Sequence, residues 1–259
     1  MRVALLSDVH ANLPALQACL ADSRTSGADV WLCAGDLVGW GPQPEECVAL
    51  LREVGAVCVA GNHDLAATGQ LASPRGTPAA LESMRRTRET LSAATLEQLA
   101  GLPITTSVEG LLVAHGSPAD PEEYVRSAAR ADELLDSVAD GGILVLGHTH
   151  EPWVHARGSG TLLRRRPGTV RLPSNEAVLV NPGSVGQSRM RSPHARYAVL
   201  DLNPRTVELR EVPYDVAAGR QALRDAGLPE GSLHTPLPLR VRARTRAGDL
   251  RRALHERRG

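Results

Sequence analysis

Short aliphatic runs alternate with polar, turn-forming stretches along the chain, and six of these runs stop directly before a histidine, aspartate or asparagine. Val3–Leu6 leads to Asp8 and His10, Val30–Ala34 to Asp36, and Ala56–Ala60 to Asn62 and His63. Leu111–Ala114 leads to His115, Ile143–Leu146 to His148 and His150, and Val178–Val180 to Asn181. Each run is short, apolar and closed by a turn signal, the pattern of a buried strand. In open α/β sheets, ligand-binding groups collect beyond the carboxyl ends of the strands. The pattern therefore predicts one polar site at a sheet edge.

Helical periodicity fills the intervals. Leu16, Cys19 and Leu20 follow Pro14 at helical spacing, and a second helix opens at Pro44, carries Val48 and Leu51 inward and stops at Gly55. Residues 77–101 read as largely helical with Leu81, Met84, Leu91, Leu96 and Leu99 inside, and further helices are expected over 128–139 and 216–226. Past Gly147 the pattern turns to strands, Tyr197–Leu202 and Thr206–Val212 among them, with the Gly-, Arg- and Pro-rich residues 157–175 read as a hairpin or surface loop. The division expected is a domain over 1–228 and an Arg-rich tail or capping segment over 229–259.

Composition narrows the function classes. The chain of 259 residues has no Phe and only 2% aromatics, too few for a stacking platform for single-stranded nucleic acid. Its formal net charge of +0 draws it toward neither nucleic acid nor membrane. With no apolar stretch near the ~20 residues of a membrane span and no secretory leader pattern, a cytoplasmic location is expected. All 29 basic side chains are Arg, which excludes lysine-dependent chemistry. Cys19, Cys33, Cys47 and Cys58 form no CxxC pair and read as buried small hydrophobes. His155, His194, His234 and His255 lack ligand spacing and are expected to face solvent.

The remaining polar residues can hold metal. Asp8-x-His10 places two donors on one face if that segment is extended, and mixed oxygen and imidazole donors suit divalent transition metals. Asp36 offers two oxygens, enough to bridge two ions, and Gly35 lets the backbone approach them. Asp8, His10, Asp36 and His150 close one donor set; Asp36, Asn62, His115 and His148 close the other. Two such ions generate a hydroxide near neutral pH and clamp an in-line displacement at phosphorus. His63 is then free to act as general acid, with Asp64 able to orient it. Asn12 is a candidate contact for substrate phosphate or a helix cap, and Arg189 a candidate phosphate clamp.

The segments Gly35-Asp36, Gly61-Asn62-His63-Asp64 and Gly147-His148-Thr149-His150, preceded by Asp8-x-His10, resemble the calcineurin-like metallophosphoesterases. Ser7–Asn12, Gly35–Pro42 and Asn181–Gly186 look most similar to the small bacterial and archaeal phosphodiesterase branch. The resemblance spans residues 1–228. It implies a four-layer αββα sandwich of two mixed sheets flanked by helices, and a binuclear centre held by the residues named above. Manganese is the expected metal, with iron, zinc, nickel or cobalt as alternatives.

The arginine-bearing motif of the superfamily's protein phosphatases is absent after Asp36, where Leu37-Val38-Gly39-Trp40 stands. Trp40 and Ser188 also depart from the branch, at the substrate rim. The expected activity is hydrolysis of small phosphate diesters or nucleotides. A dinucleoside polyphosphate (diadenosine tetraphosphate) hydrolase or a nucleotidase is the alternative enzyme, and a non-catalytic scaffold of the same fold the alternative of another class. Retained His63 favours an enzyme.

Overall fold

The computed structural model describes residues 1–72, 78–234 and 236. The described elements are twelve strands and seven α-helices, arranged as two six-stranded mixed sheets. Sheet one holds β1 (Arg2–Leu6), β2 (Val30–Cys33), β3 (Val57–Cys58), β9 (Gly168–Arg171), β11 (Ala195–Asp201) and β12 (Thr206–Val212). Sheet two holds β4 (Thr105–Val108), β5 (Leu111–Ala114), β6 (Ile143–Val145), β7 (Trp153–Ala156), β8 (Gly160–Arg164) and β10 (Val178–Asn181). Sheet one runs β3-β2-β1-β11-β12-β9 and sheet two runs β4-β5-β6-β10-β7-β8.

Side-chain alternation assigns each strand face to a layer. Val3 and Leu5 of β1 meet Val113, Ile143, Val145, Val178 and Val180 in the core between the sheets. Ala4 and Leu6 turn the other way, onto Leu16, Cys19 and Leu20 of α1 (Leu13–Thr25) and Val48 and Leu51 of α2 (Pro44–Glu53). On the far side, Leu144, Leu146 and Leu179 pack on Ala131 and Leu135 of α6 (Ala128–Leu135). Strands covered on both faces carry continuous aliphatic sequence for this reason, and each buried Leu or Val contributes about 1.5–3 kcal/mol of transfer free energy. The expected αββα sandwich is the observed architecture.

In each sheet the strands that point toward the site run parallel. β1, β2 and β3 are parallel neighbours in sheet one, as are β5, β6 and β10 in sheet two. Their carboxyl ends therefore lie together at one edge of the sandwich.

Several expectations need correction. Residues 157–175 are neither a plain hairpin nor a loop, because β8 ends sheet two whereas β9 ends sheet one. Short edge strands with Gly and Arg carry too little apolar alternation to stand out. The 77–101 segment is largely helical, as expected, but in two pieces, α4 (Pro78–Thr90) and α5 (Ala93–Ala100), because the Ser92 side chain caps a new helix by accepting from Thr95 N. Leu81, expected inside, is 47% exposed. His155, expected in solvent, is fully buried in β7, with Nε2 2.8 Å from Asp132 Oδ1 and Nδ1 3.3 Å from Thr161 Oγ1. Its strand lies inside sheet two, between β10 and β8, so α6 covers what the sequence leaves looking polar.

Near the end of the described chain, α7 (Val216–Asp225) is followed by a 3-10 turn, Glu230–Leu233. Leu233 packs on Leu223 and Leu228. The Arg-rich stretch from residue 237 lies outside the described residues.

Candidate metal centre

The seven ligand candidates converge at the common edge of the two sheets. Asp8 and His10 follow β1, Asp36 follows β2, Asn62 begins α3 (Asn62–Ala67) after β3, His115 follows β5, and His148 and His150 follow β6. All are at least 95% buried; none is more than 5% exposed.

Their convergence does not come from strand alternation, as the extended reading of Asp8-x-His10 supposes. β1 ends at Leu6, and five of the donor residues adopt left-handed backbone: Asp8 (φ 52°), His10 (48°), Asp36 (55°), His148 (61°) and His150 (57°). This conformation costs roughly 1–2 kcal/mol for a residue with a Cβ, and it persists where surrounding structure over-determines it. Cross-loop hydrogen bonds do so here. Asp8 N donates to Gly35 O (3.0 Å), His10 N to Asp36 O (2.9 Å), and Gly186 N to Asp8 O (2.9 Å). Asn181 Nδ2 donates to Gly147 O at 2.7 Å and to Thr149 Oγ1 at 3.1 Å, bracing the turn that carries both late histidines. Gly35 (φ +83°) is required by loop contact rather than by approach to metal: a Cβ there would stand 2.7 Å from Gly61 N and 2.8 Å from His115 Nδ1.

Backbone carbonyls fix the imidazoles. His10 Nδ1 faces Val38 O (3.3 Å), His115 Nδ1 faces Ala34 O (2.7 Å), and His150 Nδ1 faces Gln187 O (2.7 Å). A carbonyl only accepts, so each Nδ1 carries a proton; the neutral rings of His10 and His150 present an Nε2 lone pair inward, and His115 would do so once a cation displaces its second proton. For His148 it is Nε2 that faces a carbonyl, Glu122 O at 3.1 Å, which leaves Nδ1 as its donor atom.

The inward atoms fit cations. Donors that share an ion at ~2.0–2.2 Å stand about 3–4 Å apart. His10 Nε2 and His150 Nε2 are 3.2 Å apart, His150 Nε2 and Asp8 Oδ1 3.2 Å, His115 Nε2 and Asn62 Oδ1 3.1 Å. Asp36 Oδ2 lies 3.6 Å from His10 Nε2 and 3.2 Å from His115 Nε2. Donor atoms of Asp8, His10 and His150, of His10, Asp36 and His63, and of Asp36, His115 and His148 each group within 4.8 Å. Two lone pairs facing each other across 3.2 Å, as in His10 and His150, call for a positive charge between them.

Electrostatics agree. Burial alone would strip the proton from His115, yet the Asp36 carboxylate beside it raises its pKa to about 9. For Asp36, burial pushes upward but His115, His63 and His10 hold the carboxyl well below its usual range. Burial lowers His148 to about 3, with the neighbouring His115 charge adding to the effect. An imidazole must be deprotonated to ligate, so metal binding there would release the second proton of His115.

The other candidates separate by role. His63 lies with its ring 4.9 Å from His10 and 5.9 Å from Trp40, and its buried Nδ1 has no hydrogen-bond partner. Its backbone N donates to Asp36 Oδ1 at 2.8 Å. Asp64 does not orient His63. Its carboxylate accepts from the backbone N–H groups of Leu37 (2.9 Å), Val38 (3.1 Å) and Gly61 (2.9 Å), tying the loop after β2 to α3. Burial, with the nearby Asp36 charge, raises the Asp64 pKa to about 7.

Asn12 is fully buried and acts as the cap of α1, accepting from Ala15 N at 3.3 Å and donating to Gly186 O at 2.9 Å, so it is committed to structure. Arg189 stands at the rim, close enough to His150 to lower its proton affinity, behind the larger effect of burial. Unforeseen in the sequence are the carbonyls that hold the histidines and the loop carrying Glu122 and Tyr124. The Tyr124 ring lies 4.0 Å from that of His148. Backbone acceptors leave no sequence signal; the Tyr124-Val125-Arg126 alternation does.

Comparison with known proteins bears on this geometry. The sequence pattern of the calcineurin-like phosphoesterase superfamily domain matches residues 1–205. Protein MJ0912 of Methanocaldococcus jannaschii is 32% identical over 235 residues, 88% of this chain and 94% of that protein. The crystal structure of a metallophosphoesterase from Sphaerobacter thermophilus aligns with TM-score 0.79 at 34% identity, covering 90% of this chain and 97% of the other. Protein PH1004 of Pyrococcus horikoshii shares the fold with TM-score 0.74 at 20% identity, covering 90% and 96%. Among the described residues no helix is long and apolar enough to cross a membrane.

Proposed function

The chain belongs to the calcineurin-like phosphoesterase superfamily of metal-dependent phosphoric ester hydrolases, and from that premise we propose that it cleaves small phosphate diesters or nucleotides with two divalent transition-metal ions, manganese foremost. The observation that supports two ions rather than one is Asp36, whose Oδ2 stands 3.6 Å from His10 Nε2 and 3.2 Å from His115 Nε2. One carboxylate oxygen is thus common to both donor sets.

Asp8, His10, Asp36 and His150 would hold one ion, and Asp36, Asn62, His115 and His148 the other. When bound, the ions supply Lewis acidity that activates the attacking water and neutralises charge on the phosphate oxygens. The chain's own residues do the rest. His63, beside His10 and free of any hydrogen bond at Nδ1, is assigned proton donation to the leaving oxygen. Asp64 acts through position, holding the loops of Asp36 and His63 together through three backbone N–H groups. Arg189 is assigned attraction of the anionic substrate. Burial of every donor excludes bulk water, which strengthens each of these interactions.

The test pairs elemental analysis with turnover of bis(p-nitrophenyl) phosphate. About two ions per chain are expected, with activity lost to a chelator and restored better by Mn²⁺ than by Mg²⁺. A fully active sample holding one ion overturns the binuclear reading. Metal binding without turnover of any ester would leave the non-catalytic scaffold.

A further inference from the structure

The segment between β5 and α6 builds a cationic wall beside the metal centre. Glu122 O holds His148 Nε2 at 3.1 Å, and the Tyr124 ring lies 4.0 Å from the His148 ring. Val125 is 4% exposed and anchors this strip in the core under α6. The residues on either side of it stand outward, Tyr124 at 46% exposure with the Arg126 guanidinium 4.3 Å above its ring. Arg189, from the loop after β10, brings its guanidinium to 5.8 Å from the same ring centre. The tyrosine thus holds a ligand histidine on one side and positions two arginines over the approach to it.

Among the described residues, the buried Glu151 carboxylate lies 2.6 Å from Arg165 and only 3.8 Å from Arg126. The Arg126 contact is a loose one: neither Arg126 Nε nor Glu151 Oε1 has a hydrogen-bond partner. Burial, then repulsion from Arg189 and Arg165, weakens the hold of Arg126 on its proton. The nearby Glu123 is bound to Arg130 at 2.6 Å. Clustered guanidinium groups next to a centre built for cations repel one another, and the arrangement becomes favourable when an anion lies among them. Arginine's planar fork matches phosphate oxygens in particular.

We infer that Arg126 and Arg189, positioned by Tyr124, form a subsite for a second phosphoryl group, so that the enzyme prefers esters in which two phosphoryl groups are adjacent, as in nucleoside diphosphates, over simple diesters. This rests on the hydrolase reading above and names its substrate class. With the terminal phosphoryl group at the metal centre and the inner one on Arg126 and Arg189, a water oxygen would bond to the terminal phosphorus as the P–O–P bridge breaks, giving orthophosphate and a nucleoside monophosphate whose bridging oxygen takes its proton from His63.

Two nucleoside-free probes test it by calorimetry on the metal-loaded protein, with ion content checked afterwards. Methylenediphosphonate carries two phosphoryl groups and resists hydrolysis; orthophosphate carries one. Each charge-assisted contact is worth about tenfold in affinity, so wild-type protein should bind the diphosphonate at least about tenfold more tightly than orthophosphate. In Arg126→Gln and Arg189→Gln that ratio should fall several-fold, and in the double variant approach one. Arg126→Lys, which keeps the charge and loses the fork, should fall between. A wild-type ratio near one, or a ratio that survives in a folded double variant, overturns the subsite while leaving the hydrolase reading intact. Failure to bind orthophosphate or to turn over any ester, with metal present, removes that reading and the subsite with it.

Discussion

Asp36→Asn tests the proposed bridging role, because the replacement keeps the shape and one hydrogen bond. Asn Oδ1 can still accept from His63 N, as Asp36 Oδ1 does at 2.8 Å. The amide nitrogen then occupies the place of Oδ2, facing the Nε2 atoms of His10 at 3.6 Å and His115 at 3.2 Å. The metal-free protein loses the Asp36–His115 ion pair, so each variant is compared with its own metal-free melt. Metal binding loses much, since a neutral donor replaces the only charge between two dications. An ion that binds the folded state alone stabilises by about 2.7 kcal/mol at a hundredfold excess over its Kd. At about 2–4 °C per kcal/mol for a domain of this size, two sites raise Tm by roughly 10–20 °C and one site by half of that. Differential scanning calorimetry with and without Mn²⁺ should therefore show the full rise for wild type, about half for His10→Ala and for His115→Ala, and almost none for Asp36→Asn. A half-sized rise in Asp36→Asn, with one ion by elemental analysis, would refute the shared-ligand assignment.

Three further outcomes are expected. His63→Ala should keep both ions while kcat falls about 10²–10⁴-fold, the range for a lost general acid, and a leaving group of low pKa should narrow the defect; loss of an ion would instead make His63 a ligand. Glu109 and Gly110 form a two-residue turn between β4 and β5 with φ of 52° and 78°, the conformation for which Asn-Gly is preferred, so Glu109→Asn should raise Tm by about 2–4 °C, for up to ~1 kcal/mol, in thermal melts. The Asp22 carboxylate accepts from Arg210 Nε and from the Tyr197 hydroxyl, each at 2.7 Å, and these bonds, Arg210 first, hold its carboxyl below the usual range despite partial burial. A depressed folded pKa gives stability that is present above the unfolded carboxylate value of about 3.9 and lost as pH falls below it. The stability gap between wild type and Asp22→Asn in urea titrations should thus be open at pH 7 and close below pH 4; a gap independent of pH would rule this linkage out.

The sequence made the site legible because its donors sit beside strand ends, where aliphatic runs give way to polar residues. Val3–Leu6, Val30–Ala34 and Ile143–Leu146 announce buried strands, and Asp8, Asp36 and His148 follow them at once. How those donors turn inward was not legible. Left-handed φ at Asp8 and His10 is imposed by hydrogen bonds from loops more than twenty residues away, and no local propensity reports it. The same holds for Asp64, whose partners are backbone N–H groups of Leu37 and Val38 in another loop. His155 misled for a related reason: its strand is short, and the cover supplied by α6 is tertiary. Arg126 and Tyr124 were readable only as an alternation around Val125, in a segment without regular secondary structure.

The order in which the strands interleave has a consequence for how the protein is made. β11 (Ala195–Asp201) lies between β1 and β12, and β10 (Val178–Asn181) lies between β6 and β7. On the ribosome the last of the candidate ligands, His150, emerges well before either of these strands exists. Until Val178–Asn181 is available, β6 and β7 have no common partner, and until Ala195–Asp201 follows, β1 has an open edge. The nascent chain thus displays all its candidate ligands beside β1, β2, β3, β5 and β6 while lacking the strands that complete both sheets, and lacking Asn181 and Gln187, which brace the turn of His148 and His150. A chain released before Val178 should therefore hold no ion tightly, which a truncation ending at Ala177 can check by elemental analysis. The gap between making the ligands and closing the sheets is also the interval in which two bare aliphatic edges need shielding from other chains.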